Sequence, residues 1–419
     1  MNLFKMHLPS GIGNSLRFGR WLCLSSFTGL LVGFIGVLFN FGMKYAGDFR
    51  ASHSWLLLLL PLAGVLIVFL YRFFDYEDNA GTDTVIECIQ YDAESYVPLK
   101  MAGLIFVSSI LTVVCGGSVG REGAAVQIGG SIGKQLGEKL RFNGEDKKIL
   151  LMSGISAAFS ALFGTPMAAA FLPMEMATVG TLYYPALVPC IWSSIIACLL
   201  ARALHAPAEN LSISENVTLN LPFCLLVIVL ALLCAAVSVL FCEALHRVEH
   251  LLKKLLPNPY LRIITGGLLI IVLTAILRTS DYLGPGMQMI ESFLEGHVIP
   301  FAFLLKILFT AVTIGAGYKG GEIVPSFFTG AAFGALFGSL TGSDIPLCAA
   351  IGMASVFCGV TNCPVTAMLI AFELFGFDHY AYYLIAIAIS YMLSGYYSLY
   401  RSQKILFPKL GGDKNSAQV

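Results

Sequence analysis

The sequence predicts an all-α, polytopic membrane protein made of two repeated halves in inverted orientation, with tilted and broken helices. Three observations carry this prediction. Only 12% of the 419 residues are charged, about half the roughly 25% of soluble domains. Hydrophobic residues make up 57% and mean hydropathy is +0.80, with the apolar residues gathered in charge-free stretches. The segment around Gly154 recurs around Gly352 with the same internal spacings. A soluble multidomain enzyme is excluded by the shortage of charge. Zero net charge leaves no basic excess for a nucleic-acid partner, and disordered chains are polar and charged where this one is not.

Charge-free runs cover residues 21–43, 51–71, 101–120, 149–174, 176–201, 216–242, 345–372 and 379–400, each long enough to cross a bilayer. Residues 263–277, 307–318 and 323–343 form shorter or glycine-rich runs, which implies tilted, broken or re-entrant segments. The first run is too long for a signal-peptide core and is read as a retained helix. Basic residues cluster before Trp21 (Lys5, Arg17, Arg20), between Lys134 and Lys148, from Arg247 to Arg262, and after Tyr400 (Arg401, Lys404, Lys409). Positive charge favours the cytoplasmic side. Residues 203–217 lack Lys and Arg and 278–296 are acid-biased, so both are expected outside. The division follows: a cytoplasmic N-terminal segment 1–20, membrane halves 21–215 and 216–400, and a short cytoplasmic tail 401–419, with both termini inside.

Eleven cysteines lie mostly inside apolar runs with no Cys-x-x-Cys spacing and read as small buried hydrophobes. Sequons at Asn210 and Asn216 would matter only in a eukaryotic secretory pathway.

In the repeat, Gly154 to Phe159, Pro166 and Glu175 match Gly352 to Phe357, Pro364 and Glu373 at a constant offset of 198. Upstream, the cluster from Gly116 to Gly123 faces the cluster from Gly315 to Glu322 at nearly that offset, and Glu322, after glycines and before Pro325, occupies the place in the second half equivalent to that of Glu122. Repeats of this kind place a site near the midplane, where broken helices meet. A glycine-flanked helix start leaves backbone N–H groups unpaired at the positive end of the helix dipole. One such start per half predicts one shared anion site built without net charge.

Glu122 follows a charge-free span, where an unpaired carboxylate is costly. Two readings stand: a structural pair with Arg121 or with the helix start, and a gate that occupies the anion pocket when ionised and leaves it when protonated. Glu322 needs a proton, or Lys319 as partner, to coexist with an anion. Phe327 and Phe328 could offer positive ring edges to an anion or simply pack. Glu175 and Glu373 are read near helix ends, with structural and proton-relay roles both open. The Gly116-Gly117-Ser118-Val119-Gly120 match to a nucleophile elbow lacks a strand-turn-helix setting and a His partner; an intramembrane hydrolase using Ser118 is the third alternative. His246 and His250 make too few ligands for zinc and read as a solvated helix face. No cofactor or metal is called for. Gly29/Gly33 and Gly330/Gly334/Gly338 read as close helix packing.

Gly120-Arg121-Glu122-Gly123 resembles the most specific motif of the CLC family of chloride channels and proton-coupled anion antiporters, whose Glu is the external gate. Gly320-Gly321-Glu322-Ile323-Val324-Pro325-Ser326 resembles the second-half motif whose backbone amides line the anion site. Tyr400 falls where the family has its inner-gate tyrosine. Gly81-Thr82-Asp83-Thr84-Val85 stands where chloride members have Gly-Ser-Gly-x-Pro, with Thr82 in place of the coordinating serine. Ala124 replaces the Pro of the gating motif. Glu322 replaces an apolar residue, as is typical of the fluoride/proton antiporter branch, which often has Met at the place of Thr82. The inner proton-transfer glutamate of chloride antiporters aligns with Met176, beside Glu175.

The resemblance covers essentially the whole chain and implies a CLC-like inverted repeat and a homodimer with one pathway per subunit. It implies gating and proton transfer at Glu122, Glu322 and Tyr400, and anion binding at Thr82, Gly120, Arg121, Gly123, Gly321, Ile323, Val324 and Phe327. The expected activity is export of fluoride in exchange for protons, with a chloride/proton antiporter or chloride channel as the alternative. The nineteen residues after Tyr400 leave no room for the regulatory nucleotide-binding pair of many eukaryotic members, so a bacterial plasma membrane is the expected location.

Overall fold

A computed structural model describes residues 10–77, 81–91, 97–207, 211, 213 and 219–409, with side chains from residue 14 onward. The first half contains α1 (Ser10–Ser52), a 3₁₀ turn (Ser54–Leu59) leading into α2 (Leu60–Phe73), α3 (Thr82–Gln90), α4 (Leu99–Val114), α5 (Glu122–Lys139), α6 (Gly144–Phe163), α7 (Pro166–Glu175), β1 (Thr178–Val179) and α8 (Leu187–Ala203). The second contains α9 (Leu221–Leu255), α10 (Pro259–Leu277), α11 (Met287–Leu294), α12 (Ala302–Ala316), α13 (Ile323–Thr341), α14 (Ile345–Thr361), α15 (Pro364–Phe375), α16 (Tyr380–Leu393) and β2 (Lys404–Ile405). The two short strands pair in parallel, Thr178 opposite Lys404. Among the described residues, six helical segments are long and apolar enough to cross a membrane. The 43 residues of α1 extend about 65 Å at 1.5 Å per residue, twice the hydrocarbon core of roughly 30 Å, so α1 lies tilted or reaches well past the bilayer.

Several sequence expectations change. Residues 149–174 are two helices, α6 and α7, because Gly164 ends α6 in the left-handed conformation (φ 73°). Residues 345–372 are likewise α14 and α15, divided by left-handed Asn362 (φ 58°). Neither run makes a single span. Asn362 is tied to the C-terminal segment through Tyr397, Gln403 and Lys409, and burial lowers the Lys409 ammonium to about 8. The basic stretch from Arg247 begins inside α9. Lys134 is 2% exposed, its ammonium 3.4 Å from Cys88 Sγ, so it is not part of a solvated basic loop. The boundary at 215/216, both sequons, Lys5 and the last ten residues lie outside the described residues. All eleven cysteines are free and nine are buried.

The duplication is visible atom by atom. A Cβ on Gly129 of α5 would lie 2.3 Å from Gly154 O on α6; a Cβ on Gly330 of α13 would lie 2.4 Å from Gly352 O on α14. Gly133 meets Leu150 O as Gly334 meets Cys348 O. These pairs bring backbones into direct contact, which only glycine permits at that distance. Gly29 and Gly33 pack α1 on α8 in the same way, against Ser193 O and Ala197. The caps repeat too: Asn143 accepts from Asp146 N, and Asp344 from Leu347 N. The glycines of α5 and α13 and these caps match at an offset of 201, whereas α6 and α14 match at 198 further on. The difference lies at the start of α6, which has 20 residues against 17 in α14. The upstream alignment therefore shifts. Left-handed Gly116 (φ 88°) matches Gly317 (φ 110°), Gly120 matches Gly321, and Glu122 matches Ile323. Glu322 is the counterpart of Arg121, not of Glu122.

Glu175 and Glu373 exchange places across the two halves. Glu175, at the end of α7, accepts from the N–H groups of Val365 and Thr366 and from the Thr366 hydroxyl (2.9, 2.9 and 2.7 Å). Glu373, in α15, accepts from Met167 N and Ala168 N (2.8 and 2.9 Å). Each carboxylate thus caps the start of the other half's helix, where orphan donors and the dipole favour it. The geometry favours the structural role. Glu175→Ala should lower stability by about 1–2 kcal/mol, the scale of a lost cap, while leaving the proton-to-anion ratio unchanged. Thermal unfolding in detergent and paired flux measurements check both; a changed ratio restores the relay reading.

Candidate functional site

The two glycine-rich turns meet. Gly120 N donates to Gly321 O (2.6 Å) and Gly321 N to Gly120 O (2.9 Å), an isolated antiparallel bridge between the halves. Small residues are required here: a Cβ on Gly321 would lie 2.5 Å from Gly123 N and 3.1 Å from Glu122 N. Immediately past the bridge, α5 and α13 begin, and neither Arg121 nor Glu322 caps its helix with its side chain. The first-turn amides of both helices, including Gly123, Ile323 and Val324, have no intrahelical acceptor. Two helix starts converge on one point in the buried interior.

Glu122 is fully buried. Its Oε2 accepts from Arg121 N (3.0 Å) and fills the space beside Gly120 that Val324 and Pro325 also border. The carboxylate therefore lies against the first turn of α13, next to the bridge. Arg121 reaches both Asn40 and Glu122: its Nη1 donates to Asn40 Oδ1 (2.6 Å), its Nε is 3.6 Å from Glu122 Oε1, and its guanidinium is 6.0 Å from the Phe163 ring.

Glu322 Oε2 and Thr82 Oγ1 are 3.4 and 3.5 Å from the point where a Cβ on Gly123 would sit. Thr82 opens α3 after left-handed Gly81 (φ 67°). Both side chains, with Tyr400, Gln127 and Lys319, line a cavity of about 490 Å³. Tyr400 is carried by a segment clipped to α3: Ser402 N donates to Asp83 Oδ1 (2.9 Å) and Ser402 Oγ to Glu87 Oε1 (2.6 Å). Gln127 Nε2 is 3.5 Å from Thr82 Oγ1. The cavity walls carry charge of both signs, including Glu249, which pairs with Lys253 and Arg401 (2.6 and 2.5 Å).

Of the residues singled out from sequence, Gly120, Glu122, Gly123, Gly321, Glu322, Ile323, Val324 and Thr82 gather around the bridge, and Tyr400 lines the same cavity as Thr82 and Glu322. Arg121 is directed toward Asn40 and Glu122. Phe327 packs edge-on against Phe163 (6.0 Å) and at 5.0 Å from Phe357. Phe328 presents its face to the Lys306 ammonium (5.1 Å). Lys319 lies over the Tyr71 ring (4.7 Å), and no ion pair joins it to Glu322 among the described residues. His246 is partly buried and lines the cavity with Nε2 3.4 Å from Leu399 O, while His250 is exposed. Ser118 follows a helix, not a strand, and its hydroxyl pairs with Thr310 (3.1 Å). Asn40 and Gln127 were missed by sequence reasoning. Asn40 carried a signal, a strongly polar side chain inside an apolar span, but nothing in the sequence names its partner.

Known proteins share this sequence and fold. Residues 63–395 match the family model described as voltage gated chloride channel. A protein of Pseudomonas syringae pv. tomato named chloride/fluoride channel protein is 33% identical over 407 residues, covering 96% of this chain and 90% of that protein. A solved structure titled as a CLC-type fluoride/proton antiporter superposes with a TM-score of 0.89 at 30% identity, covering 95% of this chain and all of that one. A slow cyanobacterial Cl⁻/H⁺ antiporter shares the fold, with a TM-score of 0.78 at 20% identity over 90% of this chain and 94% of that one. With paired glycine turns at its centre and a family match over most of its length, the chain belongs to the voltage gated chloride channel family, the CLC proteins.

Proposed function

We propose that this protein exports fluoride from the bacterial cytoplasm in exchange for inward protons. The observation that carries the reading is the pair of carboxylates next to the Gly120–Gly321 bridge: Glu122, fully buried against the start of α13, and Glu322, partly buried beside Gly123 and Thr82 where it lines the cavity. Glu122 alternates between occupying the amide-lined pocket when ionised and leaving it when protonated. Glu322, when protonated, donates a hydrogen bond to the anion. Fluoride is small and strongly hydrated, and such a donor with the first-turn amides of α5 and α13 replaces its water. The cavity is the cytoplasmic approach, closed by Thr82 and Tyr400. One pathway operates in each subunit of a homodimer.

The likeness to a fluoride/proton antiporter structure supports this reading. Thr82 favours the second one, chloride transport on the same scaffold, because its hydroxyl can serve as the serine of chloride members does. Liposomes loaded with the purified protein, followed simultaneously for fluoride, chloride and pH, separate the two. Fluoride should move together with protons, with chloride at least about tenfold slower, one power of ten per 1.4 kcal/mol of discrimination. Chloride flux equal to fluoride flux would reject fluoride selectivity, and fluoride flux without protons would reject antiport.

A further inference from the structure

Most of the charges that line the 490 Å³ cavity are matched by partners. Glu77 pairs with Arg72 (2.8 Å), Glu249 is shared by Lys253 and Arg401, and Asp83 and Glu87 accept from the amide and hydroxyl of Ser402. Two cations are left, Lys319 and Arg262. Both are half-buried, and both line this cavity and a neighbouring one of about 240 Å³, so they stand where the two adjoin. Among the described residues neither side chain has an ion pair or a hydrogen-bond acceptor. The Lys319 ammonium lies over the Tyr71 ring (4.7 Å), and Arg262 Nε is shielded from solvent without a partner. A shielded donor left unpaired is costly, and two like charges in reach of each other add to that cost.

One clip brings the two cations together. Tyr318, beside Lys319, has its hydroxyl 2.9 Å from Leu60 O and 3.1 Å from Ile263 O, and Ile263 follows Arg262 near the start of α10. The turn before α13 is thereby fixed against α10, and Lys319 is within electrostatic reach of Arg262, Lys253, Glu249 and Glu322. Glu322 lies three residues further on and lines the same cavity, beside Gly123 at the bridge. A positive wall along such a route raises the local concentration of anions. We propose that Lys319 and Arg262 form a second anion site, in the cavity wall, which captures the transported anion from the cytoplasm and delivers it toward Glu322 and the bridge. The ligand is a small monovalent anion, the halide itself. A divalent oxyanion such as sulfate would also meet the carboxylates of Glu77, Glu249 and Glu322 and is disfavoured by like charge. The inference rests on the transport reading above and holds for whichever halide is carried.

The experiment uses everted bacterial membrane vesicles, which expose the cytoplasmic face uniformly, with vesicles lacking the protein as baseline. Initial fluoride uptake is measured against external fluoride concentration, with proton movement recorded alongside, for the parent, Lys319→Gln, Arg262→Gln, Lys319→Arg and Arg262→Lys. Each glutamine variant should raise the half-saturating concentration about tenfold, the low end of what electrostatic focusing gives, with maximal rate and proton-to-fluoride ratio unchanged. The charge-conserving variants should half-saturate near the parent. Raising ionic strength from about 0.1 M to about 1 M with impermeant potassium gluconate shortens the screening length from about 10 Å to about 3 Å. That change should weaken the parent toward the glutamine variants and move those variants little. An unchanged curve in both glutamine variants, or a lost maximal rate without a raised half-saturating concentration, overturns the inference. Inhibition of the parent by sulfate at concentrations where chloride has no effect overturns the halide as ligand. If Lys319→Gln does not give folded protein, Arg262→Gln in the first turn of α10 decides. A parent that takes up chloride and not fluoride rejects fluoride selectivity, and the same curves in chloride then test the site. A parent that moves neither halide overturns the transport reading, and this inference with it.

Discussion

Replacing Glu122 with Gln should abolish proton movement coupled to anion transport while the folded protein survives. Glutamine preserves shape and can still accept from Arg121 N, so the local packing around Gly120, Val324 and Pro325 is kept. What it loses is the ability to carry a negative charge into the amide-lined pocket and to bind and release a proton. Removing a proton-transferring side chain costs on the order of a hundredfold or more, so coupled proton flux should fall at least that far in liposomes. Any remaining anion flux should become insensitive to a proton gradient. Coupled transport within a few-fold of the parent would refute the gating role of Glu122. Size-exclusion behaviour identical to the parent separates lost coupling from lost fold.

The second large effect is expected from a single methyl group. Gly321→Ala places a Cβ 2.5 Å from Gly123 N and 3.1 Å from Glu122 N, inside the bridge and on top of the amides that open α5. Overpacking of this kind forces backbone shifts costing roughly 1–3 kcal/mol. Here the atoms that must move are the ones proposed to hold the anion. Anion flux should therefore drop by tenfold or more, since each ~1.4 kcal/mol is one factor of ten, with a much smaller change in thermal stability. Gly103→Ala is the matched control. Gly103 lies within α4 with nothing within 4 Å of an added Cβ, and alanine there should leave transport intact and stabilise the helix by about 1 kcal/mol. Equal flux from the Gly321→Ala protein and its parent would remove the bridge from the anion site.

The membrane class and the duplication could be read from the chain because both are patterns of residue type along it. A lack of charge over about 20 residues leaves little alternative to burial in lipid or protein, and the spacings from Gly154 to Glu175 repeat regardless of how the halves fold. The glycine-rich helix starts were legible for a similar reason: a glycine at a left-handed position leaves its mark on composition. Helix breaks inside apolar runs were not. Residues 149–174 contain Gly164 and Pro166, and residues 345–372 contain Asn362 and Pro364, yet glycine and proline also occur within membrane helices whose freed backbone groups find other partners. Only packing decided that both runs break.

The register of the repeat was misread upstream for an instructive reason. Their shared place after a glycine cluster aligned Glu322 with Glu122, while the three residues added at the start of α6 change the offset there. In space Gly120 faces Gly321, so Glu322 takes the place of Arg121, one residue before its helix. The two carboxylates consequently do not occupy equivalent positions in the two halves.

Taken alone, the sequence determined that this is a membrane protein of two related halves, with a polar centre built from glycine turns and a few acids and bases. Those facts depend on residue type and spacing, which the chain carries locally. The tertiary structure decided which groups meet: Glu122 with the start of α13, Glu322 with Thr82 near Gly123, Arg121 with Asn40, and Glu175 and Glu373 with each other's helices. Such pairs lie 81 to 240 residues apart in the chain, and their choice follows from where rigid helices cross when glycine-to-backbone contacts set the distance between them. Charge scarcity marks the acids as important; the crossing of α5 and α13 gives each its neighbour, and with it a distinct chemical task.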